Sequence, residues 1–167
     1  MNIMTSEMTH EPEAPITHLQ RRKIEGRVLI PFIQACREQF GEAATRDLVS
    51  TTIRRLAEKD GEQWAERFGG GLAALQQVAE DVWAGGGGMD IDMIQRTEDR
   101  LDFNVTRCGY AAFYQQLGLA DLGALVHCSR DHAMAARFDP NVELVRTGTI
   151  MEGKPCCDFR FRKKQPA

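Results

Sequence analysis

The sequence lacks the features that would point to a membrane, a nucleic acid or a secreted location. No apolar run in its 167 residues is long enough to span a bilayer, and its first residues lack the basic and apolar regions of a signal peptide. A formal net charge of −3 offers no positive excess for nucleic acid or an anionic membrane surface. We therefore predict a cytoplasmic protein that binds neither nucleic acid nor membrane and keeps its five cysteines reduced.

Recognisable sites for phosphate and metal are also missing. The glycine run at 85–88 does not match G-x-x-x-x-G-K-[ST] or G-x-G-x-x-G, so a flexible connection is the better interpretation. A zinc site would need scattered cysteines and histidines, because the sequence contains no C-x-x-C or H-x-x-x-H pair. We predict no metal and no cofactor.

What the sequence does have is the composition of an ordinary globular protein, with 43% hydrophobic and 27% charged residues. Residues 1–16 are polar and aperiodic, which predicts a disordered lead-in. Residues 17–164 are predicted to form a single domain, and the sequence leaves open whether it forms a homo-oligomer.

The first half of the sequence predicts three helices. Thr17, with Gln20 three residues later, is a capping-box pattern that begins a helix, and Pro31 should kink that helix. Apolar residues recur at every fourth position and predict its core-facing stripe: Ile24, Val28, Phe32, Cys36 and Phe40.

A second helix is predicted from Glu42, with a break at 60–61, and a third after the glycines at 69–71. The predicted inner face of the second helix is Ala44, Leu48, Val49, Ile53 and Leu56. The predicted inner face of the third is Leu72, Leu75, Val78, Ala79 and Trp83.

The second half alternates between strand and helix periodicity. Two period-two runs around 89–93 and 101–105 predict an antiparallel hairpin with one wet face. Helical spacing follows at 108–117 and 120–138, and strands are predicted at 142–151 and 156–162. The order ααα-ββ-α(α)-ββ is that of an α+β domain, with N-terminal helices packed on a small antiparallel sheet of about four strands.

The last third of the chain carries four of the five cysteines and a series of short motifs. In order these are R-C-x-Y-A at 107–111, L-G at 117–118, C-x-x-D at 128–131, F-x-P at 138–140, L-x-R-T-x-T-I-M-x-G at 144–153 and C-D-F-R at 157–160. The ordered series resembles the C-terminal pattern of the L-2-amino-thiazoline-4-carboxylic acid hydrolase family. The resemblance implies a hydrolase that opens a small cyclic C–N substrate, as in the conversion of 2-amino-thiazoline-4-carboxylate to N-carbamoyl-L-cysteine.

The resemblance implies that Cys128, Asp131, Cys157 and Asp158 belong to the site. Such a reaction needs an acid or base with a pKa near neutrality and a cation for the substrate carboxylate. On a helix Cys128 and Asp131 share a face, and His132 lies one turn from Cys128, so the thiol could be a nucleophile with a nearby base.

Each catalytic candidate also has a structural interpretation. Cys128 could simply pack in the core, and Asp131 could form an ion pair with Arg130 or Arg146 or cap a helix. Cys157 shares a strand face with two phenylalanines, which favours a core position unless the site lies between sheet and helices. The predicted catalytic residues are therefore Asp131, Cys128, Cys157 and His132, and the predicted substrate-binding residues are Arg107, Cys108, Arg146, Asp158 and Arg160.

Two other functions remain open at this point. Spaced cysteines before a final F-R-F also resemble the small-molecule-binding domain related to vinyl reductases, which would make the chain a binding or sensing module without catalysis. A third possibility is an interaction protein whose cysteines only pack. A tight pocket holding Asp131 and an arginine would favour the enzyme, an apolar tunnel the sensor, and a filled interface between sheet and helices the interaction protein.

Overall fold

The computed structural model describes residues 15–164. Its helices are α1 His18–Phe40, α2 Glu42–Phe68, α3 Gly71–Gln77, α4 Gly109–Gln116, α5 Ala120–Gly123 and α6 Arg130–Phe138. Its strands are β1 Met89–Arg96, β2 Arg100–Cys108, β3 Val142–Val145 and β4 Cys157–Lys163. The order of these elements confirms the α+β prediction. The predicted lead-in lies almost entirely outside the described residues.

Helix α1 begins where the capping box predicts. The Gln20 amide donates to Thr17 Oγ1 at 3.1 Å, and the Thr17 amide donates to Gln20 Oε1 at 2.8 Å. Pro31 lies within the continuous helix, which ends at Gly41 with a positive φ of 81°.

The predicted apolar stripe on α1 is wrong. Ile24, Val28 and Phe32 are 55%, 71% and 65% exposed, and of the five stripe residues only Cys36 is buried. The buried face instead contains Leu19, Gly26, Ile30 and Ile33, on the opposite side of the helix. That face also carries His18 and Arg22, which line the cavity described below. These polar residues interrupt the apolar pattern of the buried face, so the pattern is weak in the sequence.

Helix α2 runs through the predicted break at 60–61. A Cβ at Gly61 would lie 2.4 Å from the backbone oxygen of Met134, so α2 and α6 approach at a distance that only glycine allows. The predicted inner face of α2 is only partly right, because Ile53 is buried while Leu48 and Leu56 are 56% and 44% exposed. The inner face predicted for the third helix is confirmed, since all five of its residues are buried.

The sheet is antiparallel, in the order β1-β2-β4-β3. The inner faces of β2 and β4 meet in register: Leu101 pairs with Phe161, Phe103 with Phe159 and Val105 with Cys157. The Phe103 and Phe159 rings stack at 5.0 Å, and the helices cover this face to form the main core. Cys157 therefore points toward the helices, at one end of the aromatic row.

Strand β3 is shorter than predicted. It ends at Val145, and the residues predicted to extend it form a loop and a 3₁₀ turn at Ile150–Glu152. The Thr149 side chain begins this turn by accepting a hydrogen bond from the Glu152 amide at 3.2 Å. Among the described residues, no helix has the length and apolar character needed to cross a membrane.

Candidate active site

A cavity of about 90 Å³ lies between the sheet and the helices. Helices α1, α2 and α6, the inner face of the sheet and the loop after β3 all contribute to its wall. Much of the wall is aromatic or methionine, namely Trp64, Trp83, Phe159, Met89, Met134 and Met151. This volume is suited to a compact small molecule.

One polar part of the wall is a cluster of charged residues from three helices. Asp60 accepts hydrogen bonds from Arg22 and from Arg130, both at 2.6 Å. Arg22 also donates to Glu25 at 2.8 Å. The two arginine side chains are each only 11% exposed, so their charges lie in a medium that screens them weakly.

A second polar part of the wall is the pair of Asp131 and Arg146. Arg146 donates to Asp131 Oδ2 and, at 2.9 Å, to the backbone oxygen of Cys128. The guanidinium lies 5.3 Å from the centre of the Phe159 ring, consistent with a cation–π contact. Burial raises the pKa of the Asp131 carboxyl above its ordinary value, although Arg146 opposes the shift.

Asp158 organises the loop that brings Arg146 into the cavity. Its carboxylate accepts from the Thr147 amide at 2.9 Å, the Thr147 hydroxyl at 2.7 Å and the Gly148 amide at 2.9 Å. These three bonds fix the backbone directly after Arg146. Asp158 itself does not line the cavity.

Three thiols line the cavity, those of Cys108, Cys128 and Cys157. Burial raises the pKa of each thiol, and that of Cys157 reaches about 11. Cys157 Sγ accepts from the Ile150 amide at 3.2 Å, and Cys108 Sγ accepts from the Ala111 amide at 3.4 Å, where it caps α4. At neutral pH these groups are therefore thiols and not thiolates.

Two histidines that the sequence analysis did not place in the site also line the cavity. His18 Nδ1 lies 2.9 Å from the Tyr110 hydroxyl, and the His18 ring meets the Trp64 and Tyr110 rings edge to face. His127 lies against the rings of Tyr110 and Tyr114. Burial lowers the pKa of His18 to about 4 and that of His127 to about 3, so both are neutral at pH 7.

The sequence analysis also missed Arg22 and Asp60. Each is one helical turn from an aromatic cavity residue, Arg22 from His18 and Asp60 from Trp64. The sequence signal that could have identified Arg22 and Asp60 is this four-residue spacing from an aromatic residue on α1 and α2. A search for apolar stripes does not detect it.

The family of the chain follows from a match to a family model. The model of the L-2-amino-thiazoline-4-carboxylic acid hydrolase family matches residues 21–161. The chain belongs to this family. No curated protein matches the sequence significantly.

Two solved structures are similar to this chain. The phenol-responsive sensory domain of the transcription activator PoxR, with phenol, aligns at a TM-score of 0.52 and 9% identity, over 81% of this chain and 73% of that chain. A trafficking protein particle complex subunit 3 from Naegleria fowleri, covalently bound to palmitic acid, aligns at a TM-score of 0.49 and 12% identity, over 86% and 97% of the two chains. At these identities the PoxR likeness concerns the fold alone.

The structure brings together some of the residues predicted for this hydrolase-family member. Asp131, Cys128, Cys157, Cys108 and Arg146 all line the cavity. They come from β2, the helical segment 124–138, the loop after β3 and the start of β4, which are the segments that carry the motifs.

The other predicted residues lie elsewhere. Arg107 is on the surface, where it pairs with Asp90 in two hydrogen bonds of 2.6 and 2.8 Å. Arg160 donates to the Phe103 backbone oxygen and to Asn104 on the outer side of the sheet. His132 is exposed on α6 and does not line the cavity. Together with Asp158, these residues are not part of the candidate site as the structure builds it.

Across residues 15–164, no group of three or more His, Cys, Asp or Glu side chains is arranged to hold a metal ion. The polar chemistry of the cavity therefore comes from the Asp131–Arg146 pair and from the cluster of Asp60 with Arg22 and Arg130.

Proposed function

We propose that the protein is a hydrolase that opens a small cyclic isothiourea or amidine carrying a carboxylate. The observation that carries the proposal is a cavity in which a partly buried carboxylate of raised pKa, Asp131, is held by Arg146. A carboxyl group whose pKa is raised takes up a proton more readily than an ordinary carboxyl group, which suits it to general acid–base catalysis. The family description supplies the substrate class, with 2-amino-thiazoline-4-carboxylate as its example.

The reaction adds water to the ring carbon that lies between sulfur and nitrogen. The water oxygen bonds to this carbon, the carbon–sulfur bond breaks, and a carbamoyl group and a thiol remain. The two water protons end on the ring nitrogen and on the sulfur. In the proposal, Asp131 takes each proton from the water oxygen and returns it to the acceptor atom, while Arg146 holds the carboxylate in place.

Direct attack by water agrees with the state of the thiols. A cysteine nucleophile acts as a thiolate, and burial raises the pKa of the cavity thiols. We therefore propose that Cys108, Cys128 and Cys157 shape the cavity and contact the sulfur of the substrate, without forming a covalent intermediate.

The charged cluster offers a place for the substrate carboxylate. Arg130 contacts Asp60 through Nη2, and Arg22 divides its donors between Asp60 and Glu25. We propose that Arg130 donates its remaining N–H groups to the carboxylate, because a buried guanidinium binds a planar anion in a bidentate manner.

The test is a purified-protein assay with a panel of cyclic isothioureas, amidines, hydantoins and lactams, with and without a chelator. Asp131→Asn should lower turnover by about 10²-fold or more, because loss of general acid–base catalysis has this magnitude. Its matched control is Asp92→Asn, since Asp92 is an exposed residue of β1 away from the cavity. Turnover of wild-type size in Asp131→Asn, with an unchanged melting temperature, would remove Asp131 from the mechanism.

A small-molecule binding or sensing module without catalysis is the second candidate function. The aromatic and methionine part of the wall favours it, since such walls bind apolar ligands without polar chemistry. The same panel, extended with phenol and other small aromatics, separates the two functions. Saturable stabilisation by an aromatic compound, with no turnover of any cyclic substrate, would favour the sensor.

A further inference from the structure

The hydrogen bonds around Tyr110 favour one tautomer of His18. The Tyr110 hydroxyl has a single proton and lies 3.1 Å from the backbone oxygen of Trp83, which can only accept. When Tyr110 donates to this oxygen, the contact of 2.9 Å between Tyr110 Oη and His18 Nδ1 is donated by the imidazole. In this tautomer His18 carries its proton on Nδ1, and Nε2 presents a lone pair.

His18 Nε2 is buried and has no hydrogen-bond partner among residues 15–164. An acceptor without a partner costs free energy, which a donor supplied by a ligand would recover. The His18 ring contacts the Trp64 and Tyr110 rings, with centroids 5.8 Å away in both cases. His18, the residue that carries this nitrogen, lines the same cavity as the Asp131–Arg146 pair.

The surroundings keep this nitrogen an acceptor. Burial is the main cause of the lowered pKa of His18, and Arg22, one turn further along α1, adds to it. Asp60 acts in the opposite direction, while Arg130 and Arg21 act with Arg22. With Nδ1 already bonded and protonation disfavoured, the ring can only accept an N–H or O–H at Nε2.

We propose that His18 Nε2 accepts a hydrogen bond from an N–H of the substrate, and that His18 thereby selects cyclic isothioureas and amidines over ring analogues without that N–H. The inference rests on the function proposed above and names the group that the cavity recognises. It makes His18 a specificity-determining residue, whereas the proton transfers remain with Asp131.

The test compares two ligands and two proteins. The ligands are 2-amino-thiazoline-4-carboxylate and 2-methyl-thiazoline-4-carboxylate, which have similar shape but differ in the exocyclic N–H. The proteins are Asp131→Asn alone and Asp131→Asn with His18→Phe, where phenylalanine retains the ring that packs on Trp64. Calorimetry in this background measures the Kd, and hydrolysis is measured separately with Asp131 in place.

We expect the protein with His18 to bind the amino compound about tenfold more tightly than the methyl compound, since a net hydrogen bond has about this effect. In the His18→Phe protein the ratio should fall to about one. His132→Phe is the matched control, because His132 is exposed and outside the cavity, and it should leave the ratio unchanged. Equal discrimination with and without His18, or no binding of the amino compound, would overturn the proposal.

A measurement on the Asp131→Asn protein, in which His18 is retained, covers the case in which His18→Phe fails to fold. In ¹⁵N-histidine NMR spectra, His18 should show a protonated Nδ1 and a bare Nε2, and the Nε2 shift should change with the amino compound only. A proton on Nε2 in the free protein would overturn the proposal. Retained discrimination without any hydrolysis would instead reject the proposed function and leave the binding role of His18 intact.

Discussion

At the residue scale, the same cysteine can be a nucleophile or a packing group, and its environment decides between them. Cys128 and Cys157 reach the cavity, as a nucleophile must, but burial raises the pKa of both thiols. Among residues 15–164 no histidine is hydrogen-bonded to either thiol; Cys157 Sγ accepts from a backbone amide. The position of these two thiols in the cavity would favour a covalent mechanism. Their raised pKa argues against one, because the reactive form of a cysteine is the thiolate.

We expect Cys128→Ser and Cys157→Ser, assayed separately, to hydrolyse a substrate of the panel within about threefold of the wild-type rate. Loss of a true covalent nucleophile costs several orders of magnitude instead. Both thiols should also react slowly with iodoacetamide at pH 8, because little thiolate is present. Cys156→Ser is the control, since Cys156 lies outside the cavity.

A loss of more than about 100-fold in one serine variant, with an unchanged melting temperature, would return that cysteine to the role of nucleophile. Rapid alkylation blocked by substrate would point the same way.

The site residues that could be predicted have local sequence signals, whereas those that were missed enter the cavity only through tertiary contacts. Asp131 and Arg146 could be predicted, because an acidic residue in an apolar helix and an arginine in a family motif are visible locally. His18, Arg22 and Asp60 could not, because each lies on a long helix and becomes a cavity residue only through tertiary contacts. On α1 the cavity occupies part of the buried face, so the apolar stripe in the sequence lies on the exposed face.

At the scale of elements, hydrogen bonds connect the two motifs in the segment from β3 to β4. The predicted long strand is interrupted after Val145 because Asp158 binds the backbone at Thr147 and Gly148. The resulting loop carries Arg146 inward. Asp158 was predicted as a site residue from the C-D-F-R motif, and its contacts give it the role of positioning Arg146.

We expect Asp158→Ala to lower kcat by about 10²-fold with a smaller change in KM, because displacing Arg146 by about 1 Å would misplace the Asp131 carboxylate. Asp158→Glu, which keeps the carboxylate, should recover part of the rate. The measurement is steady-state kinetics beside a thermal melt. Glu143→Gln on the neighbouring strand is the control. Glu143 is acidic and exposed, and it pairs across the sheet with Arg162 and not with the loop after β3.

Wild-type kcat in Asp158→Ala would contradict the positioning role. A fall in melting temperature with unchanged kinetics would show that the bonds of Asp158 only stabilise the loop.

At the scale of the whole molecule, the order of helices and strands was predictable because periodicity reports it directly. The capping box at Thr17, the hairpin of β1 and β2 and the inward face of β4 all follow from local patterns. The continuous α2 was not predictable, since Asp60-Gly61 reads as a break and the close approach of α6 at Gly61 depends on the fold. The cavity likewise arises only when α1, α2 and α6 meet the sheet.

The buried histidines of this cavity connect the site to the stability of the entire fold. The pKa of His18 is lowered to about 4 and that of His127 to about 3, mainly by burial, against 6.5 in an unfolded chain. Between these values the unfolded state binds more protons than the folded state. The free energy of unfolding should therefore fall as the pH is lowered from about 6.5 toward 4. Asp131 opposes this trend, because a raised pKa means that the folded state binds a proton more readily than the unfolded state.

Urea unfolding at pH 6.5 and pH 4.5 measures the effect. We expect each buried histidine to contribute about 1–2 kcal/mol to the loss, since one unit of pKa shift corresponds to about 1.4 kcal/mol. His127→Phe should reduce the difference between the two pH values, whatever its effect on stability at pH 6.5, because it removes one proton-binding group. His132→Phe should retain the contributions of His18 and His127 and remove only a smaller one, because desolvation also lowers the pKa of the exposed His132. Equal pH dependence in wild type and His127→Phe would show that His127 is not buried neutral in the folded protein.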